Sequence, residues 1–134
     1  MGIFIGLAVL FCLVMSLKIL IKAVQKGTFL SFETVCVIGF VYISFLIGFA
    51  MLYLLLHEYD IIVLMENGSS LQGTYFEKLE TCLYFSAVTL FSVGYGDITP
   101  VGIGRWLALI EAFLGYILPT TVVARTVIGM DKGE

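Results

Sequence analysis

Hydrophobic side chains in this chain come in long unbroken blocks rather than the short alternations of a soluble domain. Residues 34–56 run for 23 positions without a charge. Residues 2–17 are also free of charge, and Lys18 is followed by Ile19, Leu20 and Ile21. Residues 101 to about 128 form a third block, interrupted only by Arg105, Glu111 and Arg125. A helix that spans a bilayer needs roughly 20 mostly apolar residues. The pattern therefore predicts three crossings, with the Lys18 ammonium reaching back toward the headgroups from the first. A fourth stretch, residues 75–91 (YFEKLETCLYFSAVTLF), is too short and too charged at its start to cross. Thr74 and Glu77 have the spacing of a capping box, so a helix is expected to begin there. It is either an amphipathic helix outside the membrane or a half-helix that re-enters it.

Composition agrees with lipid as the solvent. Of the 134 residues, 60% are hydrophobic and 13% charged, against about 45–50% and about 25% in soluble domains. So short a chain has no core large enough to hide that much apolar surface. Basic residues divide the loops: Lys18, Lys22 and Lys26 follow the first block, and Arg125 and Lys132 end the third. The positive-inside bias puts both groups in the cytoplasm, with the N-terminus outside, the C-terminus inside and the acidic 57–75 segment facing outward. A cleavable signal peptide carries its basic residues ahead of the apolar run, whereas here they come after it, so a retained helix is expected. Cys12, Cys36 and Cys82 stand apart in apolar surroundings and read as buried thiols. His57 is the only histidine. No nucleophile has a base partner, and no basic stripe suits nucleic acid, so neither an enzyme nor a nucleic-acid binder is expected.

The chemistry concentrates in TLFSVGYGDITP, residues 89–100. Non-helical backbone at membrane depth must be buried in protein or line a watery cavity. In an ordinary strand successive carbonyls point to alternate sides; alternating normal and mirror-image backbone turns them all one way. Glycine enters φ > 0 cheaply, and Gly94 and Gly96 flank Tyr95 at the alternate positions required. The expected result is a column of carbonyls from Ser92, Val93, Gly94 and Tyr95, joined by the Ser92 hydroxyl, with the Val93 and Tyr95 side chains turned away. One chain supplies one wall, so a closed ring of oxygens calls for a cyclic oligomer.

SVGYGD resembles the selectivity filter of potassium channels, whose usual form is TVGYGD. The likeness runs from about Thr74 to Val127. It implies an all-α membrane protein: three transmembrane helices, a re-entrant pore helix and an extended filter, assembled as a tetramer around a central pore. An N-terminal helix and cytoplasmic loop (1–26) would precede the pore domain (27–134). Within that domain lie an outer helix at about 34–57, the pore helix at about 75–91, the filter at 92–97 and the inner helix at about 101–128. Potassium ions, with no other cofactor, would be held by Ser92, Val93, Gly94 and Tyr95, with Gly96 completing the filter. Asp97 supports it, and Tyr84 either offers Asp97 its hydroxyl or simply packs. Gly115 and Pro119 mark the inner helix bend, Gly115 as a hinge, as a close-packing site, or both. Phe91, Tyr116, Val123 and Val127 are cavity-lining candidates, Phe91 either narrowing the cavity or packing on the inner helix.

The departures matter too. Ser92 stands where threonine is usual, which keeps the hydroxyl, loses the stiff β-branch and predicts a looser innermost site. Val88 stands where some members carry an acid that pairs with the filter aspartate. Tyr95-Gly96 is retained, whereas non-selective relatives replace that step. Glu111, an acid within an apolar helix, is expected to find its partner on a neighbouring subunit's pore helix. No arginine ladder of a voltage sensor is present, and with few residues after Arg125 no cytosolic ligand-binding domain is expected. The function implied is passive, selective K+ conduction by a homotetramer in the cell membrane, with a regulatory subunit or domain as a further partner. Two alternatives stand beside it: a non-conducting modulatory subunit, and the pore fragment of a larger gated channel.

Overall fold

The computed structural model describes residues 2–25 and 32–131. Four helices run in chain order: α1 (Gly2–Gln25), α2 (Phe32–Glu58), α3 (Tyr75–Leu90) and α4 (Gly104–Asp131). Three short strands lie between them: β1 (Leu64–Glu66) and β2 (Ser69–Ser70) after α2, and β3 (Ile98–Pro100) before α4. At 1.5 Å per residue, α1, α2 and α4 are each long enough to cross roughly 30 Å of hydrocarbon. By length and apolar composition together, one stretch among the described residues qualifies, Val35–Glu58, and Gly6–Lys18 is a shorter apolar run. The third predicted crossing is diluted by Arg105, Glu111 and Arg125.

Helix α2 is the centre of the packing. Val41, Phe45, Phe49, Ala50, Tyr53 and Leu54 are buried along it, with Cys82, Phe85 and Leu90 of α3 and Ala108 and Leu118 of α4 in the same cluster. Helix α1 lies antiparallel on α2: Leu13 sits against Gly48, and Gly6 lies near Leu55. A Cβ on Gly48 would come within 2.7 Å of the Leu13 side chain, so the missing side chain is the notch that seats the leucine. The outer surface of α1 carries Phe4, Leu7, Leu10, Phe11 and Val14, all exposed. A patch of that kind is at home against lipid or another protein, not against water. Lys18 is exposed as well, while the side chains of Lys22, Lys26, Arg125 and Lys132 fall outside the described residues.

The all-α expectation needs one amendment. The segment after α2 folds into a hairpin, and β3 joins it to make an antiparallel sheet in the order β2-β1-β3. Met65 pairs with Ser70 across the hairpin, and Met65 pairs with Thr99 across the second ladder. The turn is Asn67-Gly68, with φ of 49° and 81°, the two positive values that a type I′ turn demands. Recruiting Ile98–Pro100 into the sheet is also why α4 starts at Gly104 and not at 101.

Helix α3 begins as its spacing predicts. The Thr74 hydroxyl accepts from the Glu77 amide at 3.5 Å, and the Thr74 amide donates to Glu77 Oε2 at 2.6 Å. Donation from the Thr74 amide first, and then from its hydroxyl to the same Oε2 at 3.0 Å, holds the Glu77 carboxyl below its ordinary range. A depressed carboxyl stabilises the fold at neutral pH, and that contribution fades as pH falls through the lowered value. Thr74→Ala removes the cap and should lower stability by about 1 kcal/mol, read as an earlier unfolding midpoint at neutral pH. The difference between the two proteins should shrink on acidification.

Candidate functional site

The site is built where α3 stops. Two bonds close the helix: the Ser92 amide donates to the Thr89 carbonyl at 3.0 Å, and the Val93 amide to the Val88 carbonyl at 2.9 Å. This pair is the Schellman pattern, which places a left-handed residue just past the helix end, and that residue is Ser92, with φ of 56°. Gly94 follows at 61° and Gly96 at 80°. Val93 and Tyr95, between them, are not in the left-handed region. Backbone handedness therefore alternates through five residues, beginning one step before the first glycine.

That extra step gives the missing β-branch of Ser92 a local reason. A positive φ is tolerated by a small unbranched side chain better than by a β-branched one, so serine suits a helix-closing position. The Val93 and Tyr95 side chains are 51% and 72% exposed in the single chain.

Asp97 is fixed at the outer end of this segment. Tyr84 of α3 donates its hydroxyl to Asp97 Oδ2 at 2.8 Å, and Oδ1 accepts the Ile98 amide at 3.1 Å. The next three residues are β3, so the sheet holds the outer end while α3 holds the inner one.

The inner end rests on a polar contact that depends on a proline. Pro119 has no amide to offer the carbonyl four residues back, which belongs to Gly115. Tyr42 of α2 fills the gap, donating its hydroxyl to the Gly115 carbonyl at 2.9 Å. The Tyr42 ring also stacks on Phe91, with centroids 5.5 Å apart and planes 2° from parallel. Phe91 thus stacks on a residue of α2, and it stays 58% exposed. Gly115 is where α4 meets the end of α3: a Cβ there would run into the Leu90 carbonyl. Close packing thus accounts for this glycine. Tyr116, Pro119 and Val123 are exposed along α4, and the Val127 side chain lies outside the described residues.

Glu111 corrects another expectation. It is fully buried, and its partners are in its own chain: Tyr53 of α2 donates to Oε2 at 2.9 Å, and Ser86 of α3 contacts Oε1. The carboxyl joins three helices of the one chain, and with no exposed surface it is out of reach of a neighbour's pore helix.

The sequence matches an ion channel family over residues 32–131, which takes in everything from α2 to α4. Two curated relatives are similar along most of their length. One, Protein LctB of Geobacillus stearothermophilus, is 46% identical over 110 residues, covering 82% of each chain. The other, Protein LctB of Bacillus caldotenax, is 43% identical over 108 residues, covering 81% of each. No solved structure matches the chain.

Removing the Tyr42 hydroxyl should strand the Gly115 carbonyl. Tyr42→Phe is expected to lower stability by about 1–3 kcal/mol, the range for an orphaned buried polar group. In a Pro119→Ala background the restored amide supplies a partner, so the same substitution should have at most about half that effect. A thermal-unfolding double-mutant cycle reads the difference; equal losses in both backgrounds would refute the link between Pro119 and Tyr42.

Proposed function

The chain belongs to this ion channel family, and on that premise we propose that it is the subunit of a potassium-selective pore, a homotetramer that conducts K+ passively across a membrane. The observation that carries the reading is the alternation of backbone handedness through Ser92, Val93, Gly94, Tyr95 and Gly96. Alternation lets successive carbonyls face one side, and four such walls around an axis make stacked rings of oxygen. Those rings replace the hydration shell that K+ gives up on entry. The C-terminal end of α3 directs its partial negative charge toward the same place, which favours a dehydrating cation. The Ser92 hydroxyl adds oxygen at the innermost ring.

Fourfold assembly also gives the exposed side chains somewhere to go. Tyr95 and Phe113 are 72% and 62% exposed in the single chain, and neighbouring copies around the axis cover such surfaces. Three crossings, by α1, α2 and α4, put the hairpin and Asp97 outside and the end of α4 in the cytoplasm, in keeping with the basic loops. Tyr116, Pro119 and Val123 then line the inner cavity. Gating follows from narrowing or dewetting along that face, with Pro119 supplying the bend.

Ion flux from liposomes holding the purified protein tests the reading. Expected is K+ flux without Na+ flux, stopped by Ba2+ and reduced at least about tenfold in Gly94→Ala, where a side chain must enter the left-handed region. Equal K+ and Na+ flux would refute selectivity. Silence from protein shown to be tetrameric would favour the non-conducting modulatory subunit instead.

A further inference from the structure

Around Glu111 there are more acceptors than hydrogens. The Ser86 oxygen lies 2.9 Å from the Leu46 carbonyl and in close contact with Glu111 Oε1. Tyr53 Oη lies 2.9 Å from Oε2. These are three donor–acceptor contacts, and Ser86 and Tyr53 bring only one hydrogen each. With an ionised carboxylate, Ser86 can serve either Leu46 or Glu111, never both. A proton on Oε1 completes the set: Glu111 donates to Ser86, Ser86 donates to Leu46, and Tyr53 donates to Glu111.

Charge leads to the same answer. Glu111, Ser86 and Tyr53 are all fully buried. Among the described residues the one ion pair is Lys78–Glu58, near the outer surface, so no cation reaches this site. Burying an unpaired carboxylate is far more costly than burying a neutral acid. The remaining titratable groups facing the site are Tyr53 and Cys82, neither of which carries a compensating positive charge. His57, further along α2, is engaged by the Leu71 carbonyl at 3.2 Å.

We propose that Glu111 is a neutral carboxylic acid whose proton latches pore helix α3 to α2 and α4, making it a positioning residue for the filter. The latch spans all three helices: Leu46 and Tyr53 on α2, Ser86 on α3 and Glu111 on α4. Ser86 lies six residues before Ser92 on the helix that ends at the filter, so displacing it displaces the inner ring. Deprotonation leaves a contact unfilled and a bare charge in the core, and α3 loosens. The protonation state does not depend on the channel reading; the effect on conduction does.

Infrared spectroscopy of the full chain in lipid nanodiscs at neutral pH tests protonation directly. Expected is the carbonyl band of a protonated acid, shifted by carboxyl-labelled glutamate and lost in Glu111→Gln. A fully ionised spectrum would overturn the proposal. Glutamine can mimic most of the neutral pattern, its amide donating one hydrogen to Ser86 and its oxygen accepting from Tyr53, with the second amide hydrogen left unpaired. Glu111→Gln should therefore assemble, with a thermal stability lowered by no more than one unpaired donor costs. As pH rises from the ordinary carboxylate range the wild type should lose thermal stability until the native Glu111 carboxyl ionises, and K+ flux should fall by about tenfold as it does, while Glu111→Gln changes little. Identical pH profiles for the two proteins would sink the switch, and the stability profile is readable whether or not the protein conducts.

Discussion

A peptide backbone that leaves helical geometry inside a membrane must find all its support in protein, because lipid offers no hydrogen bonds. Most of what is distinctive about this chain follows from that constraint. Residues 92–96 form no ladder of their own, so they are held from both ends. At the inner end, the Schellman bonds to Val88 and Thr89 close α3 and set the first left-handed residue. At the outer end, Asp97 is gripped by Tyr84 and handed directly to β3. The sheet is small, but it ties the end of residues 92–97 to the segment leaving α2.

The same constraint recurs where the helices meet. Pro119 frees a carbonyl deep in α4, and Tyr42 satisfies it from α2 while stacking on Phe91, the residue that caps α3. Helix α4 at Gly115, helix α2 and the end of α3 therefore meet at one aromatic side chain. One turn before Gly115 along α4, Glu111 ties the same three helices through Tyr53 and Ser86. Apolar packing along α2 supplies the bulk of the contact, and these two polar junctions set the register. Removing one partner of a buried polar pair is costly, since the other is left without water to turn to.

Features encoded within a few residues were legible in the sequence. The four helices follow from uninterrupted apolar blocks and from the Thr74–Glu77 box, and the alternation around Tyr95 follows from Gly94 and Gly96. The hairpin was legible too: Asn67-Gly68 is the strongest short-range turn signal available, but the charged residues around it read simply as an outward loop. Ser92 was hidden because its conformation comes from the helix it terminates, not from its side chain. The junctions lay beyond reach for a different reason. Tyr42 and Gly115 are 73 residues apart, Tyr53 and Glu111 are 58, and Ser86 and Glu111 are 25. Only the packing of helices brings such pairs together, and no local pattern marks them.

The central claim is that residues 92–96 form an oxygen-lined ion path on a fourfold axis. Anomalous diffraction from crystals of the assembled protein soaked in Tl+, a heavy stand-in for K+, tests it most directly. The account predicts a row of peaks on that axis, each ringed by carbonyl oxygens of Ser92, Val93, Gly94 and Tyr95. An assembly with those carbonyls facing away from the axis, or with Tl+ bound elsewhere and none between them, would contradict it.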